Sequence, residues 1–121
     1  MKRVLVVDDS PVIRKIARRI LEGLRLQTSE ATNGLQALEA CAHSMPDGIF
    51  VDSSMADVDG YEFMRQLRRM PEGEKPRIVF CTSEYDVAQI ARAMHAGADD
   101  FMMKPIDREH VQAKFESVGV C

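Results

Sequence analysis

Apolar residues in this chain alternate between short unbroken runs and longer stretches spaced by three and four, and the alternation recurs five times. Residues 3–7 (RVLVV) open the series. Continuous Val and Leu, in place of every second position, predict a strand covered on both faces. Ser10 then offers a capping hydroxyl, and Pro11 is tolerated in a first helical turn, so a helix begins there. Ile13, Ile16, Ala17, Ile20, Leu21 and Leu24 are spaced to share one face, while Arg14, Lys15, Arg18 and Arg19 fall outside it and predict a basic, solvated side. Residues 26–31 (LQTSEA) are polar for a strand, which suits a sheet edge. Asn33 and Gly34 precede a second helix with Leu35, Leu38, Cys41 and Ala42 turned inward, ending near Ser44.

The third apolar run, Ile49, Phe50 and Val51, stops at Asp52. Gly60 opens a third helix with Phe63, Met64, Leu67 and Met70 facing in, and Pro71, Gly73 and Pro76 end it. Ile78 to Cys81 predict another doubly buried strand, finishing on Thr82. A fourth helix spans roughly Asp86 to Ala96, with Gly97 as its stop. Phe101, Met102 and Met103 form a fifth strand that delivers Lys104. After Pro105, Asp107 caps a last helix carrying Val111, Phe115 and Val118 and ended by Gly119. Five strands alternating with five helices predict an α/β fold: a doubly wound parallel sheet in the order 2-1-3-4-5, with right-handed crossovers and helices on both faces. Such sheets bind ligands at the carboxyl ends of their strands, here between strands one and three. No repeat or linker interrupts residues 1–121, so a single domain is expected.

Composition narrows the classes. A formal net charge of -3 argues against a nucleic-acid partner, and the arginines of the first helix lack interleaved aromatics. Lys2 and Arg3 lead into only four apolar residues, and no later apolar run approaches bilayer length, so a cytoplasmic protein without membrane contact is expected. The 3 cysteines, Cys41, Cys81 and Cys121, have no CxxC spacing and read as reduced thiols. His43, His95 and His110 show no metal-ligand spacing and read as surface or packing residues.

The predicted sheet gathers Asp8, Asp9, Asp52, Thr82 and Lys104 at one rim. Three adjacent carboxylates repel one another unless protonated or neutralised by a cation, and an all-oxygen cluster prefers Mg2+ to zinc. With Mg2+ bound, a phosphoryl donor is held for attack by a carboxylate oxygen of Asp52, Lys104 offsets charge on the transferred group, and Thr82 donates a hydrogen bond to it.

At this point the chain resembles the receiver domains of two-component response regulators, and within them the stand-alone CheY-type chemotaxis regulators. The resemblance spans essentially the whole length. It rests on the acidic pair in VLVVDDS, the acceptor in IFVDSSM, Asp59-Gly60, Thr82-Ser83-Glu84 and Lys104-Pro105, in family order and at family-like spacing. It implies a flavodoxin-like fold and a phosphoprotein that catalyses only its own phosphorylation and dephosphorylation. In this comparison Asp9 and Asp52 ligate Mg2+ directly, Asp8 acts largely through water, and the Ser54 carbonyl completes the set. A phosphohistidine on a sensor histidine kinase or histidine phosphotransfer protein is the implied donor. Phosphorylation draws Thr82 inward and lets Phe101 move, altering a surface of the fourth helix, fifth strand and fifth helix that includes Tyr85, Ile90, Met94, Phe101 and Lys114. Read from the residues alone, Phe101 is equally a static core aromatic, and Ile90 and Met94 are ordinary packing.

Two departures from the family pattern stand out: Ala56 where proline usually follows the methionine, and Ser83 after the threonine. Ser54 and Glu84 flank the implied path of hydrolytic water. The expected output is protein contact by a monomer, with a flagellar motor switch as first choice of target and a phosphate sink or phosphorelay shuttle behind it. An aspartate-nucleophile Mg2+ phosphatase of the haloacid-dehalogenase type is the enzyme alternative, although Asp8-Asp9-Ser10 does not match its DxDx[TV]-like motif. A flavin carrier lacks the phosphate loop after strand one.

Overall fold

The computed structural model describes residues 1–53 and 59–121. Its elements alternate as the apolar pattern predicts: β1 (Arg3–Val7), α1 (Pro11–Gly23), β2 (Gln27–Ala31), α2 (Gly34–His43), β3 (Gly48–Asp52), α3 (Gly60–Arg69), β4 (Arg77–Thr82), α4 (Val87–Ala96), β5 (Asp100–Met103) and α5 (Arg108–Ser117). The strands form one parallel sheet in the order β2-β1-β3-β4-β5.

β1, β3 and β4 alternate their side chains between two cores. Val4, Val6, Phe50, Val79 and Cys81 meet Ala17 and Leu21 of α1 and Val111 and Phe115 of α5 on one face. On the other, Leu5, Val7, Ile49, Val51, Ile78 and Phe80 meet Ala37 and Cys41 of α2, Phe63, Met64 and Leu67 of α3, and Ala93 and Ala96 of α4. Each large side chain buried in this way contributes about 1.5–3 kcal/mol. With both faces covered, the central strands read as unbroken apolar runs. Every helix starts at a residue whose side chain accepts a backbone N–H of its first turn: Ser10 from Ile13, Asn33 from Gln36, Asp59 from Glu62, Asp86 from Ala88 and Gln89, and Asp107 from His110. Gly97, at φ 131, ends α4 in a conformation that favours glycine. Among the described residues no helix is long and apolar enough to cross a membrane.

Three expectations about helix faces are corrected. Ile16 is 39% exposed, because it lies about 100° around the helix from Ala17, beyond the edge of the buried stripe. In α2 the buried face is Gly34, Ala37 and Cys41, while Leu35 is 50% exposed and Ala42 is also exposed. The small residues at spacing i, i+3, i+7 bring the helix close to the sheet, rotating Leu35 outward. The basic side of α1 is only partly solvated: the Arg14 side chain is 14% exposed, with Nε donating to Glu30 Oε1 at 2.6 Å, and Arg18 pairs with Glu30 and donates to Thr28 Oγ1 at 2.9 Å. The two arginines tie α1 to the polar side chains of the edge strand β2.

At the pole opposite the carboxyl ends of the strands, Arg68 fastens α3 to its neighbours. Its Nε and Nη2 donate to Gly97 O at 3.1 and 2.7 Å, Nη1 to Gly73 O and Pro76 O at 2.8 Å each, and Nη2 to Asp99 Oδ2 at 3.1 Å. All five guanidinium N–H donors are used. Asp99 Oδ2 in turn accepts the Ile78 N–H at 2.8 Å. Replacing Arg68 by Met leaves three carbonyls and a carboxylate without these partners. We expect Arg68→Met to lower unfolding stability by about 2–4 kcal/mol in a urea titration, and Arg68→Lys to recover only part of it, since an ammonium cannot span this set.

Candidate functional site

Parallel pairing sets three strand ends side by side: Val7 opposite Val51 and Asp52 opposite Cys81. Backbone hydrogen bonds carry the ladder into the site. Asp8 N–H donates to Ala31 O at 3.2 Å, Ser53 N–H to Cys81 O at 3.0 Å, and Lys104 N–H to Thr82 O at 2.8 Å. The carboxylates of Asp8, Asp9 and Asp52 each offer an oxygen within 4.8 Å of the others. Lys104 Nζ stands 2.9 Å from Asp52 Oδ1. The sequence expectation of one convergent rim therefore holds for these four residues.

Their environments differ. Asp8 and Asp52 are 0% and 4% exposed, whereas Asp9 is open to solvent. Ser10 N–H donates to Asp8 Oδ1 at 2.9 Å, while the buried Asp8 Oδ2 has no hydrogen-bond partner among the described residues. Burial, aided by the charges of Asp52 and Asp9 and opposed by the Ser10 N–H and Lys104, pushes the Asp8 carboxyl up to about 6. For Lys104, burial disfavours the ammonium, but its hydrogen bond to Asp52 and the charges of Asp52 and Asp8 outweigh that and hold its pKa above the usual value. An orphaned buried oxygen beside two further carboxylates is a donor set suited to a hard divalent cation, and the acidic pocket is able to hold one.

Gly60 explains how α3 reaches this rim. A Cβ at Gly60 would stand 2.5 Å from the Asp52 carbonyl oxygen, so only glycine lets the helix start directly against the Asp52 backbone, with Asp59 capping it. The Asp59-Gly60 motif is thus a positional device for Asp52, a role that sequence spacing alone did not reveal. Arg14 is the other residue that sequence reasoning placed elsewhere: its Nη1 donates to the Asp8 carbonyl at 2.8 Å. An arginine four positions after a helix cap, facing an edge strand that carries Glu30, was the available signal.

Thr82 is buried, and its hydroxyl accepts the Glu84 N–H at 3.3 Å. Ser83 and Glu84 are exposed beside it. Ser54, Met55 and Ala56 lie outside the described residues. Of the surface residues, Tyr85, Phe101 and Lys114 come together: the two rings are 6.4 Å apart by centroid, and Lys114 Nζ is 5.2 Å from the Phe101 centroid and 3.3 Å from Asp100 Oδ1. Ile90 is half-buried and Met94 is 41% exposed, both on α4. A groove of about 350 Å³ runs beside Phe101, lined also by Met103, Pro105, His110 and Lys114. His43, His95 and His110 are all exposed, His110 against Asp107 at 2.8 Å. Cys41 and Cys81 are free and buried, and burial pushes their thiols up to about 11 and about 12, which makes both poor nucleophiles.

Comparison with known proteins agrees with this geometry. The model of the response regulator receiver domain matches residues 4–116. The response regulator MprA of Mycobacterium sp. (strain KMS) is 34% identical over 116 residues, covering 96% of this chain and 50% of the relative, so the chain spans about half the length of the curated relatives it matches. Chemotaxis protein CheY4 of Vibrio cholerae superposes with a TM-score of 0.93 at 26% identity, covering 98% of both chains. The signal receiver domain of a signal transduction histidine kinase from Syntrophus aciditrophicus does so at 0.88 and 29% identity, covering 98% of this chain and 89% of that one. An acceptor-like aspartate at the end of β3, an acidic pair at the end of β1 and a lysine at the end of β5 stand on a receiver fold, and the chain belongs to the response regulator receiver domain family.

Proposed function

We propose that Asp52 is the phosphoacceptor of a two-component signalling reaction, taking a phosphoryl group from a phosphohistidine on a sensor kinase or histidine phosphotransfer protein. The observation that carries this reading is Lys104 Nζ at 2.9 Å from Asp52 Oδ1, with the Asp8 and Asp9 carboxylates beside it. In the reaction the N–P bond of the donor breaks and a P–O bond to an Asp52 carboxylate oxygen forms, leaving the imidazole to take up a proton. Asp8, Asp9 and Asp52 hold Mg2+, with the Ser54 carbonyl carried over from the family resemblance. When bound, Mg2+ offsets the negative charge of the transferred group. Lys104 neutralises Asp52 beforehand and follows the charge onto the phosphoryl oxygens afterwards. Thr82 turns the hydroxyl proton that it donates to the Glu84 carbonyl at 3.5 Å toward the new group. The chain turns over no external metabolite.

The haloacid-dehalogenase alternative needs a nucleophile at the end of β1. Asp8 is a poor candidate, being wholly buried with one oxygen already bonded to Ser10 N–H. The output face we assign is built by α4, β5 and α5, centred on Tyr85, Phe101 and Lys114 with Ile90 and Met94. Binding to a chemotaxis target such as a flagellar motor switch is the first reading, supported by the likeness to CheY4 over 98% of both chains. A phosphorelay shuttle is the second, favoured by the 29% identity to the kinase-borne receiver domain. Capture of a partner only by beryllofluoride-treated protein supports the first reading. Equal capture by untreated and Asp52→Ala protein supports a contact independent of phosphorylation.

Intact-mass measurement after incubation with Mg2+ and phosphoramidate tests the acceptor: we expect the wild type to gain one phosphoryl group and Asp52→Ala none. An unchanged wild type, or a modified Asp52→Ala, overturns the assignment.

Asp8 gives a pH signature. Its carboxyl is raised from 3.8 to about 6, so the folded state prefers it protonated. Its contribution to stability is complete below about pH 4 and is lost as pH rises through about 6, by at most about 3 kcal/mol. In metal-free buffer we therefore expect Asp8→Asn to raise the melting temperature at pH 7.5 and to leave it unchanged near pH 4. Millimolar Mg2+ at pH 7.5 should stabilise the wild type and leave Asp8→Asn nearly unaffected.

A further inference from the structure

Arg14 stands between the acidic turn and the edge of the sheet, and it touches both. Its Nη1 donates to the Asp8 carbonyl at 2.8 Å, and its Nε donates to Glu30 Oε1 at 2.6 Å on β2. The side chain is 14% exposed, and its bond to the Asp8 carbonyl is partly buried while Glu30 remains open to solvent. Glu30 is itself held from a second side by Arg18, and these two arginines, Arg14 first, keep its carboxyl below the usual carboxylate range. The guanidinium is therefore seated on a fixed carboxylate and reaches back to the backbone.

The turn it reaches is short and otherwise lightly held. Asp8 N–H is bonded to Ala31 O and the Asp8 side chain to Ser10 N–H, which fix the residue's start and its carboxylate. The carbonyl is a further handle, on the Asp8–Asp9 peptide itself, and Asp9, next along, is exposed. Where the Asp9 carboxylate stands relative to Asp8 and Asp52 depends on the plane of that peptide. Three carboxylates brought within 4.8 Å repel one another, and Asp9, the exposed one, is the freest to swing away.

We propose that Arg14, seated on Glu30, is a positioning residue for the acidic turn: by fixing the Asp8 carbonyl it holds Asp9 in reach of Asp8 and Asp52 and so sets the affinity of the site for a divalent cation. The proposal rests on the Mg2+ reading given above. Arg14 touches none of the three carboxylates and acts through the main chain. Arg18 supplies the internal control, because it makes comparable contacts to the same edge, with Glu30 and Thr28, while no bond joins it to the acidic turn.

Calorimetric titration with Mg2+ of the wild type, Arg14→Met, Arg14→Lys, Arg18→Met and Glu30→Gln tests this, with thermal melts run on each. We expect Arg14→Met to bind Mg2+ about tenfold more weakly, as loss of an outer partner of a metal ligand does. Arg18→Met should stay within about twofold of the wild type. Arg14→Lys, which keeps the charge but not the fork, should fall between, as should Glu30→Gln. Should Arg14→Met melt below the assay temperature, Arg14→Lys carries the comparison against Arg18→Met. Binding by folded Arg14 variants within about twofold of the wild type overturns the proposal, as does an equal loss in Arg18→Met, which would mark a general effect of edge stability. A wild type that takes up no Mg2+ overturns the metal reading and this proposal with it.

Discussion

Like-charge crowding at the carboxyl rim is the constraint around which the fold is arranged. Asp8, Asp9 and Asp52 bring oxygens within 4.8 Å of one another, two of the three residues being buried, and Lys104 is the cation that meets them directly. Left to themselves these groups would move apart or take up protons, and Asp8 goes part of the way, its carboxyl rising to about 6. What holds them is the sheet. Each site residue or its neighbour continues a backbone ladder, through Ala31, Cys81 and Thr82, so that separating the charges requires breaking strand pairing over a core buried on both faces. The stability of the core is in this sense opposed to the chemistry of the rim.

The two poles of the molecule are built differently for that reason. At the far pole, Arg68 satisfies all five of its donors on carbonyls and Asp99, joining α3, the turn before β4, the end of α4 and the approach to β5. At the rim, Asp8 Oδ2 is buried without a partner among the described residues, and the Thr82 hydroxyl is engaged by the local Glu84 backbone, accepting from its N–H at 3.3 Å and donating to its carbonyl at 3.5 Å. A rigid base and an under-satisfied rim concentrate the response to a new ligand at one end of the strands.

Legibility from sequence followed the same physics. The central strands β1, β3 and β4 were readable because a strand buried on both faces has no polar alternation to confuse it, and the carboxyl-end residues were readable because polar groups terminate those runs abruptly. β2 was placed as an edge strand for the opposite reason, its polar composition. The side chains that act across the fold were not readable. Arg14 and Arg18 occupy positions that helical periodicity assigns to solvent, and only the neighbouring edge strand turns them into cover for Glu30 and Thr28. Leu35 looked like a core residue of α2 until the small residues Gly34, Ala37 and Cys41 set the helix closer to the sheet. Gly60 announced a helix start, yet its contact with the Asp52 carbonyl depends on where the helix lands.

Phe101 is held less tightly than the core beneath it. On the same strand Met102 is buried against β4, whereas Phe101 is half-buried between the exposed ring of Tyr85 and the ammonium of Lys114, which is itself tied to Asp100. Contacts of this kind, an aromatic pair and a cation over a ring at partly exposed positions, are worth about 0.5–1.5 kcal/mol each. Phe101 faces Phe80 in the strand register, and Thr82, two residues on from Phe80, faces Met103. A change in the hydrogen bonding of Thr82 therefore arises on the strand next to Phe101, whose ring packs on the edge of the core on one side and meets partly exposed groups on the other, while Arg68 restrains the other end of α4. The Tyr85, Phe101 and Lys114 contacts are thus looser than the sheet beneath them, an asymmetry that the phosphoryl-driven switch proposed above would use.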